Sequence, residues 1–127
     1  VNQLELSGNF HFADWEPDIY RALAVMDVFM LSSSSEGFGN VLVEAQACGV
    51  PPVAFDIGGC RETMLPGISG RVVDEDTAHA LALAVTDALL DEPWRESAAR
   101  EGAAFVRRQF SAQRMVGQIA DAMFSDA

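Results

Sequence analysis

Short apolar runs alternate with helix-like segments along this chain, and that alternation limits the possible folds more than any other feature of the sequence. Residues 28–31 form a continuous apolar run, and residues 52–55, 70–73 and, more briefly, 10–12 are the other strand candidates. Strands that alternate with helices pair in parallel through right-handed crossovers. We therefore predict an α/β fold in which a parallel sheet of about four strands is flanked by helices.

Helix signals fill the segments between and after these runs. Apolar residues recur there every three or four positions, as on the buried face of a helix. Gly49 and Pro51 stop one such segment, because glycine ends a helix readily and proline prevents its continuation. Helices are predicted from Pro17, over 40–48, after 74–77, from Pro93 to about Phe110 and from Ser111 onward, with a single turn over 60–65 and the tail of another helix over 1–6.

Composition excludes several classes of function. The chain has 127 residues and a formal net charge of −11, which disfavours binding to nucleic acid or to an anionic membrane surface. Its hydrophobic fraction of 50% is that of a folded single domain. No run reaches the roughly 20 apolar residues of a transmembrane helix. Cys48 and Cys60 lack the spacing of a metal site and are predicted to be reduced thiols of a cytosolic protein.

The loop over residues 32–40 carries the most specific chemistry. Ligands of parallel sheets bind at the carboxyl ends of the strands, where this loop is predicted to lie with the loops over 13–18 and 56–60. Gly37 and Gly39 let a ligand approach the backbone, and the helix start at Asn40 offers free N–H groups to an anion. Because the chain has no lysine and little positive charge near this loop, a phosphate there would depend on those N–H groups or on residues outside this sequence.

Two glutamates flank this helix start. Glu44 follows Asn40 by four positions, so both side chains lie on one helical face, and Glu36 lies in the preceding loop. A carboxylate can accept two hydrogen bonds from the vicinal hydroxyls of a ribose. Glutamates at this spacing are usually solvated surface charges, and a Gly-x-Gly turn alone is weak evidence. Their combination after a buried strand indicates a ligand with phosphate and sugar hydroxyls, such as a nucleotide-sugar.

The same segment resembles the motif of a known family. Residues 35–51 read Ser-Glu-Gly-Phe-Gly-Asn-Val-Leu-Val-Glu-Ala-Gln-Ala-Cys-Gly-Val-Pro. This sequence is similar to the motif of retaining glycosyltransferases with the GT-B fold, and more narrowly of their group 1 branch, family 4, which uses nucleotide-diphosphate sugars. The similarity continues through residues 27–32, 55–62, 67–73 and 89–93 and covers nearly the whole chain. It implies a Rossmann-like domain.

The resemblance implies that side chains of this chain hold the sugars and the base of the donor. Glu36 would contact the hydroxyls of the transferred sugar in the catalytic centre, and Glu44 would hold the ribose hydroxyls. The base would stack near the loop that contains Ala13, Asp14 and Trp15. No metal ion or other cofactor is implied, because the family generally needs none.

The backbone at the helix start would hold the remainder of the donor. The resemblance implies that Gly37, Phe38 and Gly39 line the pocket for the sugar and the phosphates. Asn40 and Val41 would offer their N–H groups to the diphosphate. Such N–H groups would stabilise the charge that develops on the leaving diphosphate.

The resemblance further implies that residues 1–127 are part of the donor-binding domain of a two-domain enzyme. The N-terminal acceptor domain, the first two strands of the donor domain and an Arg/Lys pair that neutralises the diphosphate would lie outside this sequence. The parent enzyme would be a hexosyltransferase that retains the anomeric configuration, with its acceptor left open, and this chain alone would be inactive. The alternative is a non-catalytic module that binds a nucleotide or another protein.

Two further expectations concern the cellular location of the enzyme and the association of this chain with other chains. The resemblance implies a cytoplasmic enzyme of polysaccharide or glycolipid biosynthesis, with the inner face of the membrane as a second location of the full-length enzyme. An incomplete sheet leaves an open edge strand, at residues 10–12 or at its neighbour, and open edges pair with other chains. The last helix, over residues 111–124, carries apolar residues suited to another domain. We therefore expect some self-association through the open edge or the C-terminal helix.

Overall fold

Three parallel strands form the sheet of this protein, in a computed structural model that describes residues 8–114, Leu6 and Val116. Strand β1 spans Phe29–Leu31, β2 spans Pro52–Phe55 and β3 spans Arg71–Val73, in the order β1-β2-β3. In the register, Ala54 of β2 is the partner of Leu31 on one side and of Val72 on the other. The predicted α/β class with a parallel sheet is confirmed.

Helices flank the sheet where their spacing predicts them. Helix α1 spans Ile19–Leu23, α2 spans Asn40–Ala47, α3 spans Ala78–Leu90, α4 spans Glu92–Gln109, and a short 3₁₀ helix, η1, spans Cys60–Thr63. Side-chain oxygens cap three of them, because each accepts a hydrogen bond from a backbone N–H of the first turn. These caps are Asp18 for α1, Thr77 for α3 and Asp91 for α4.

Strand β2 joins the two halves of the core. All four of its residues are buried, and their side chains alternate between the faces of the sheet. Ala54 packs in a cluster with Leu42 of α2 and Cys60 of η1. Val53 and Phe55 pack in another cluster with the α3 residues Leu81 and Ala88. The sheet therefore has α2 and η1 on one face and α3 on the other.

Residues 10–12 do not form the fourth strand that the sequence predicts. They are irregular, and Phe10 and Phe12 are 50% and 78% exposed. Their two rings contact each other, with centroids 4.8 Å apart, instead of packing on the sheet. A strand must pair its backbone N–H and C=O groups with a neighbour, and within residues 8–114 no segment pairs with this one. Within the described residues the sheet has two edge strands, β1 and β3, each of which pairs only with β2, and β1 is the one that would neighbour residues 10–12.

Both chain ends carry expectations that fall largely outside the described residues. Ser111 Oγ accepts a hydrogen bond from the Arg114 backbone N–H at 3.3 Å, as in a helix N-cap. Residues 112–114 and Val116 are helical, whereas Met115 and residues 117–124 of the expected last helix lie outside the described residues. Residues 1–5 of the expected helical tail are also not described, and Leu6 is not helical. None of the described helices has both the length and the apolar character that a membrane crossing requires.

Candidate functional site

The carboxyl end of β1 leads through a loop into the start of α2. Gly39 is the N-cap of α2, with φ 79° and ψ 50°, a left-handed conformation that glycine adopts without strain. No side chain caps this helix, and the Leu42 N–H donates to the Gly39 carbonyl at 2.9 Å. The N–H groups of Asn40 and Val41 donate to no other group in the described part of the chain. They are available to an anion in front of the helix.

A second glycine loop, which follows β2, lies directly against the first. The Gly59 N–H donates to the Gly37 carbonyl at 2.8 Å. Gly58 has φ 52°, and a Cβ atom at this position would overlap the carbonyl oxygen of Glu36. Only glycine therefore permits this contact between the loops. The sequence predicted both loops at one edge of the sheet but not the contact between them. The adjacent glycines Gly58 and Gly59 were the feature of the sequence that could have indicated this contact.

The two predicted carboxylates lie on either side of the helix start. Glu36 is half-buried in the loop, and Glu44 is half-buried in the second turn of α2. The ion pairs of the described residues join other groups, namely Arg61 with Asp56 and Asp74, and Arg71 with Asp91. Among these residues, Glu36 and Glu44 therefore have no cationic partner, and both can accept hydrogen bonds from a ligand.

Gly37 differs from the other glycines of the two loops. It is exposed, its φ is not positive, and among the described residues only its chain neighbours would come within 4 Å of a Cβ atom there. Neither backbone strain nor internal packing therefore requires glycine at this position. The space in front of Gly37 is open to a ligand that approaches the backbone.

Phe38 connects the first loop to the far end of α4. Its ring meets that of Phe110 edge to face, with centroids 5.7 Å apart. Phe110 in turn meets Phe105 edge to face, also at 5.7 Å. Sequence reasoning did not assign Phe110 to the site, because a contact across 72 positions of the chain leaves no local pattern (110 minus 38).

The loop predicted to carry the base is fully open to solvent. Ala13, Asp14 and Trp15 are all exposed, and Trp15 is 86% exposed. An indole ring that is so largely exposed is able to stack on an aromatic ligand. The predicted role of this loop stays a prediction.

The residues just after the second loop determine the local electrostatics. Burial, and next the negative charge of Glu36, raise the pKa of the Cys60 thiol above its ordinary value. Arg61 bonds to Asp56 at 2.6 Å and to Asp74 at 2.7 Å. The hydrogen bond from Arg61 is the main cause of the lowered pKa of Asp56. Since two carboxylates already balance Arg61, the positive end of α2 remains the principal attraction for an anion.

A cavity of about 420 Å³ lies beside β3 and α3 and adjoins Arg61, which follows the second glycine loop. Its lining contains none of the predicted site residues and consists of Arg61, Pro66, Gly67, Arg71, Val72, Asp74, Ala84 and Asp87. Within the described ranges, no three His, Cys, Asp or Glu side chains are grouped so that they could hold a metal ion. The expectation of metal-free chemistry stays a prediction.

Fold and site together define a Rossmann-like α/β domain with two glycine loops at the carboxyl edge of its sheet. Residues 1–105 match the family described as "Glycosyl transferases group 1". The chain belongs to this family.

Named relatives support the same family. The chain is 36% identical over 111 residues to a lipopolysaccharide core biosynthesis glycosyltransferase, LpsE, of Rhizobium meliloti, a match that covers 87% of this chain and 33% of that protein. It is 42% identical over 91 residues to a D-inositol 3-phosphate glycosyltransferase of Catenulispora acidiphila, which covers 72% of this chain and 20% of that protein. Both relatives are considerably longer than the matched segment.

Solved structures show the same fold. The crystal structure of Anabaena HepE in complex with UDP has a TM-score of 0.90 and 28% sequence identity, over 98% of this chain and 34% of that one. A complex of the same protein with UDP-glucose has a TM-score of 0.87. The chain thus spans about a third of the length of LpsE and of HepE, at 33% and 34%, and 20% of the Catenulispora enzyme.

Proposed function

We propose that this chain is the donor-binding part of a family 4 glycosyltransferase with the GT-B fold. The parent enzyme transfers a hexose from a nucleotide-diphosphate sugar to an acceptor and retains the configuration at the anomeric carbon. The acceptor domain and the remaining strands of the donor domain belong to other parts of the parent enzyme. This chain alone is therefore inactive as a transferase.

The observation that carries this proposal is the open helix start between the two glycine loops. The N–H groups of Asn40 and Val41 have no described partner, and no described residue beyond its chain neighbours lies within 4 Å of a Cβ position on Gly37. A diphosphate fits such a place, because free N–H groups and the helix dipole both favour negative charge. Backbone donors also explain how a chain with a net charge of −11 would bind an anion.

The half-buried carboxylates give the proposed site its specificity for sugars. Glu44 lies one turn after Asn40 and accepts from the ribose hydroxyls in this proposal. Glu36 lies before the helix start and accepts from the hydroxyls of the transferred sugar. Trp15 and its neighbours Ala13 and Asp14 supply the stacking surface for the base, for which the 86% exposure of Trp15 leaves room.

The chemical step breaks the bond between the anomeric carbon and the diphosphate oxygen and forms a bond to the oxygen of an acceptor hydroxyl on the same face, and the proton of that hydroxyl passes to the leaving diphosphate. Negative charge grows on the leaving diphosphate. N–H groups fixed at the start of α2 stabilise that charge without rearrangement, which is the largest contribution that such a site makes to a rate. The step uses no metal ion in this proposal.

The relatives support a nucleotide-sugar donor in a biosynthetic setting. The Anabaena structures contain UDP and UDP-glucose, and the named relatives include enzymes of lipopolysaccharide and capsular polysaccharide biosynthesis. We extend this chemistry to the present chain and propose a role in cytoplasmic polysaccharide or glycolipid synthesis, with the full-length enzyme also working at the inner face of the membrane.

An NMR titration that resolves individual amides tests the proposal. UDP and GDP are added to the chain, to Glu44→Ala and to Glu96→Ala, a control that removes an exposed carboxylate from α4. We expect one nucleotide to shift the amides of residues 37–41. Glu44→Ala should raise the Kd about tenfold, the effect of losing a hydrogen bond to a charged group, whereas Glu96→Ala should leave it unchanged.

Two outcomes contradict the proposal. If millimolar UDP and GDP shift none of the amides of residues 37–41, the helix start of this chain is not a nucleotide site. If both nucleotides bind with the same Kd to Glu44→Ala and to the unaltered chain, the ribose role of Glu44 is wrong.

A further inference from the structure

Gln46 is a polar residue in the centre of the core. It lies on α2 and is only 1% exposed, although its side chain is polar. Its amide nitrogen donates to the carbonyl of Leu42 at 2.9 Å and to the carbonyl of Thr63 at 2.7 Å. Thr63 is the last residue of η1, so one amide group joins α2 to η1.

Ser69 completes the hydrogen bonds of this amide. Its hydroxyl donates to Gln46 Oε1 at 2.7 Å and accepts from the Leu65 backbone N–H at 2.9 Å. Thr63 Oγ1 donates to the Cys60 carbonyl at 2.7 Å, which joins the two ends of η1. No buried side-chain nitrogen or oxygen of the described residues lacks a partner. The network is therefore complete, which makes each of its members costly to remove.

The position of the network relates it to the site. Helix α2 and η1 each begin directly after one of the two glycine loops. In front, the loops meet through the hydrogen bond from Gly59 to Gly37. Behind, Gln46 joins the first turn of α2, at Leu42, to the end of η1. The two elements are thus connected at both ends of their contact.

Helix α4 restricts the side chain of Gln46 from the opposite side. A Cβ atom on Gly102 would lie 3.1 Å from Gln46 Cγ, so α4 packs closely against it at this position. A tightly packed side chain has one usable rotamer and holds its hydrogen bonds in a fixed direction. The Gln46 amide is therefore able to set a distance between α2 and η1.

We infer that Gln46 is a positioning residue, which holds the start of α2 and the second glycine loop at the separation that the donor diphosphate needs. This inference rests on the proposed function for the identity of the ligand. Gln46 does not touch the ligand and acts through the backbone of Leu42 and Thr63. A residue that served only to fill the core would need no amide group, since methionine has a similar volume and shape.

Two variants test the inference on this chain. Gln46→Met keeps the volume and removes all the hydrogen bonds of the amide. Ser69→Ala removes one partner of the amide and keeps the bonds to Leu42 and Thr63, so it remains informative if Gln46→Met does not fold. Leu81→Ala is the control, because it weakens the core on the other face of the sheet.

The first measurement is made without ligand. Amide spectra and urea unfolding are recorded for the three variants. We expect Gln46→Met and Ser69→Ala to shift the amides of residues 39–42 and 58–60, and Leu81→Ala to lower stability without shifting them. Unshifted amides in the first two variants, or equal shifts in Leu81→Ala, would overturn the inference.

The second measurement is the Kd for UDP. We expect the Kd to rise about tenfold in Gln46→Met and by less in Ser69→Ala. Hydrogen bonds to the ligand weaken steeply when the N–H groups that make them are displaced. The Kd of Leu81→Ala should stay at the value of the unaltered chain, and an unchanged Kd in Gln46→Met would contradict the inference. If the unaltered chain bound no nucleotide, the proposed function would fail, and the ligand-free spectra would still decide whether Gln46 positions the two loops.

Discussion

Glycines of the two loops serve different purposes at the residue scale. Gly58 allows the loops to meet, whereas Gly37 leaves room that no described residue beyond its neighbours occupies. We expect Gly37→Ala to change the free energy of unfolding by less than about 0.5 kcal/mol, as for other exposed sites. The same substitution should weaken UDP binding, because the new methyl group lies where the ligand approaches. Calorimetric titration and urea unfolding measure the two effects, and unimpaired UDP binding would show that the ligand does not approach Gly37.

Gly58→Ala should have the opposite effect. Its left-handed backbone costs an alanine about 1 kcal/mol, and the overlap with the Glu36 carbonyl should add about 1 to 3 kcal/mol. Gly67→Ala is a matched control, since Gly67 has φ 78° but open space around it. Urea unfolding should therefore show a clearly larger loss for Gly58→Ala than for Gly67→Ala. Equal losses would mean that the contact between the loops contributes nothing.

The ion pair of Asp56 with Arg61 makes part of the stability of the protein sensitive to acid. The pKa of Asp56 is lowered chiefly by the hydrogen bond from Arg61. The stability that this pair contributes is therefore fully present at pH values above the ordinary pKa of an aspartate. It is lost as the pH falls through the lowered pKa of Asp56. Asp56→Asn and Arg61→Gln should each flatten the fall in stability below about pH 4, and the effect should be small because the pair is exposed. Thermal unfolding between pH 2 and 6 measures this fall in stability. The prediction is contradicted if stability falls as steeply with acid in both variants as in the unaltered chain.

Elements that depend on neighbouring residues were predictable, and elements that depend on distant partners were not. Helix α2 follows from its spacing and its glycine stop, and β2 follows from its apolar run. Residues 10–12 have an equally suitable local pattern, but no described segment pairs with them. Gln46 was missed for a similar reason, since its partners Thr63 and Ser69 are 17 and 23 positions away. The motif of residues 36–44 was visible because the helix start and its carboxylates are contiguous in sequence.

Helix α4 also has an influence on the site that the sequence does not show. Its C-cap, Phe110, packs on Phe38 in the first glycine loop. We expect Phe110→Ala to lower the free energy of unfolding by about 2 kcal/mol, because it removes two aromatic pairs, with Phe38 and with Phe105, of about 1 kcal/mol each. Hydrogen exchange of the amides of residues 37–39 should become faster, because the loop loses its side support. Phe12→Ala removes a similar ring from an exposed pair and should leave that exchange unchanged. Equal exchange rates in the two variants would exclude this role of Phe110.

At the scale of the whole molecule, the sheet has an unpaired edge at β1 within the described residues. The N–H and C=O groups along this edge are able to pair with another chain, and Met30 beside them is 49% exposed. We therefore expect this chain to self-associate as its concentration rises, although its net charge of −11 opposes association through mutual repulsion. Salt should strengthen the association, because it screens that repulsion.

Sedimentation equilibrium over a range of concentrations tests this expectation. Met30→Glu adds a charge at the edge strand and should reduce the average mass toward that of the monomer, 13.7 kDa. Leu83→Glu is the matched control, since it adds the same charge at a position on α3 that is 53% exposed. If both variants reduce association equally, net charge and not the edge controls it. A monomer at every concentration would mean that the edge at β1 is protected in solution.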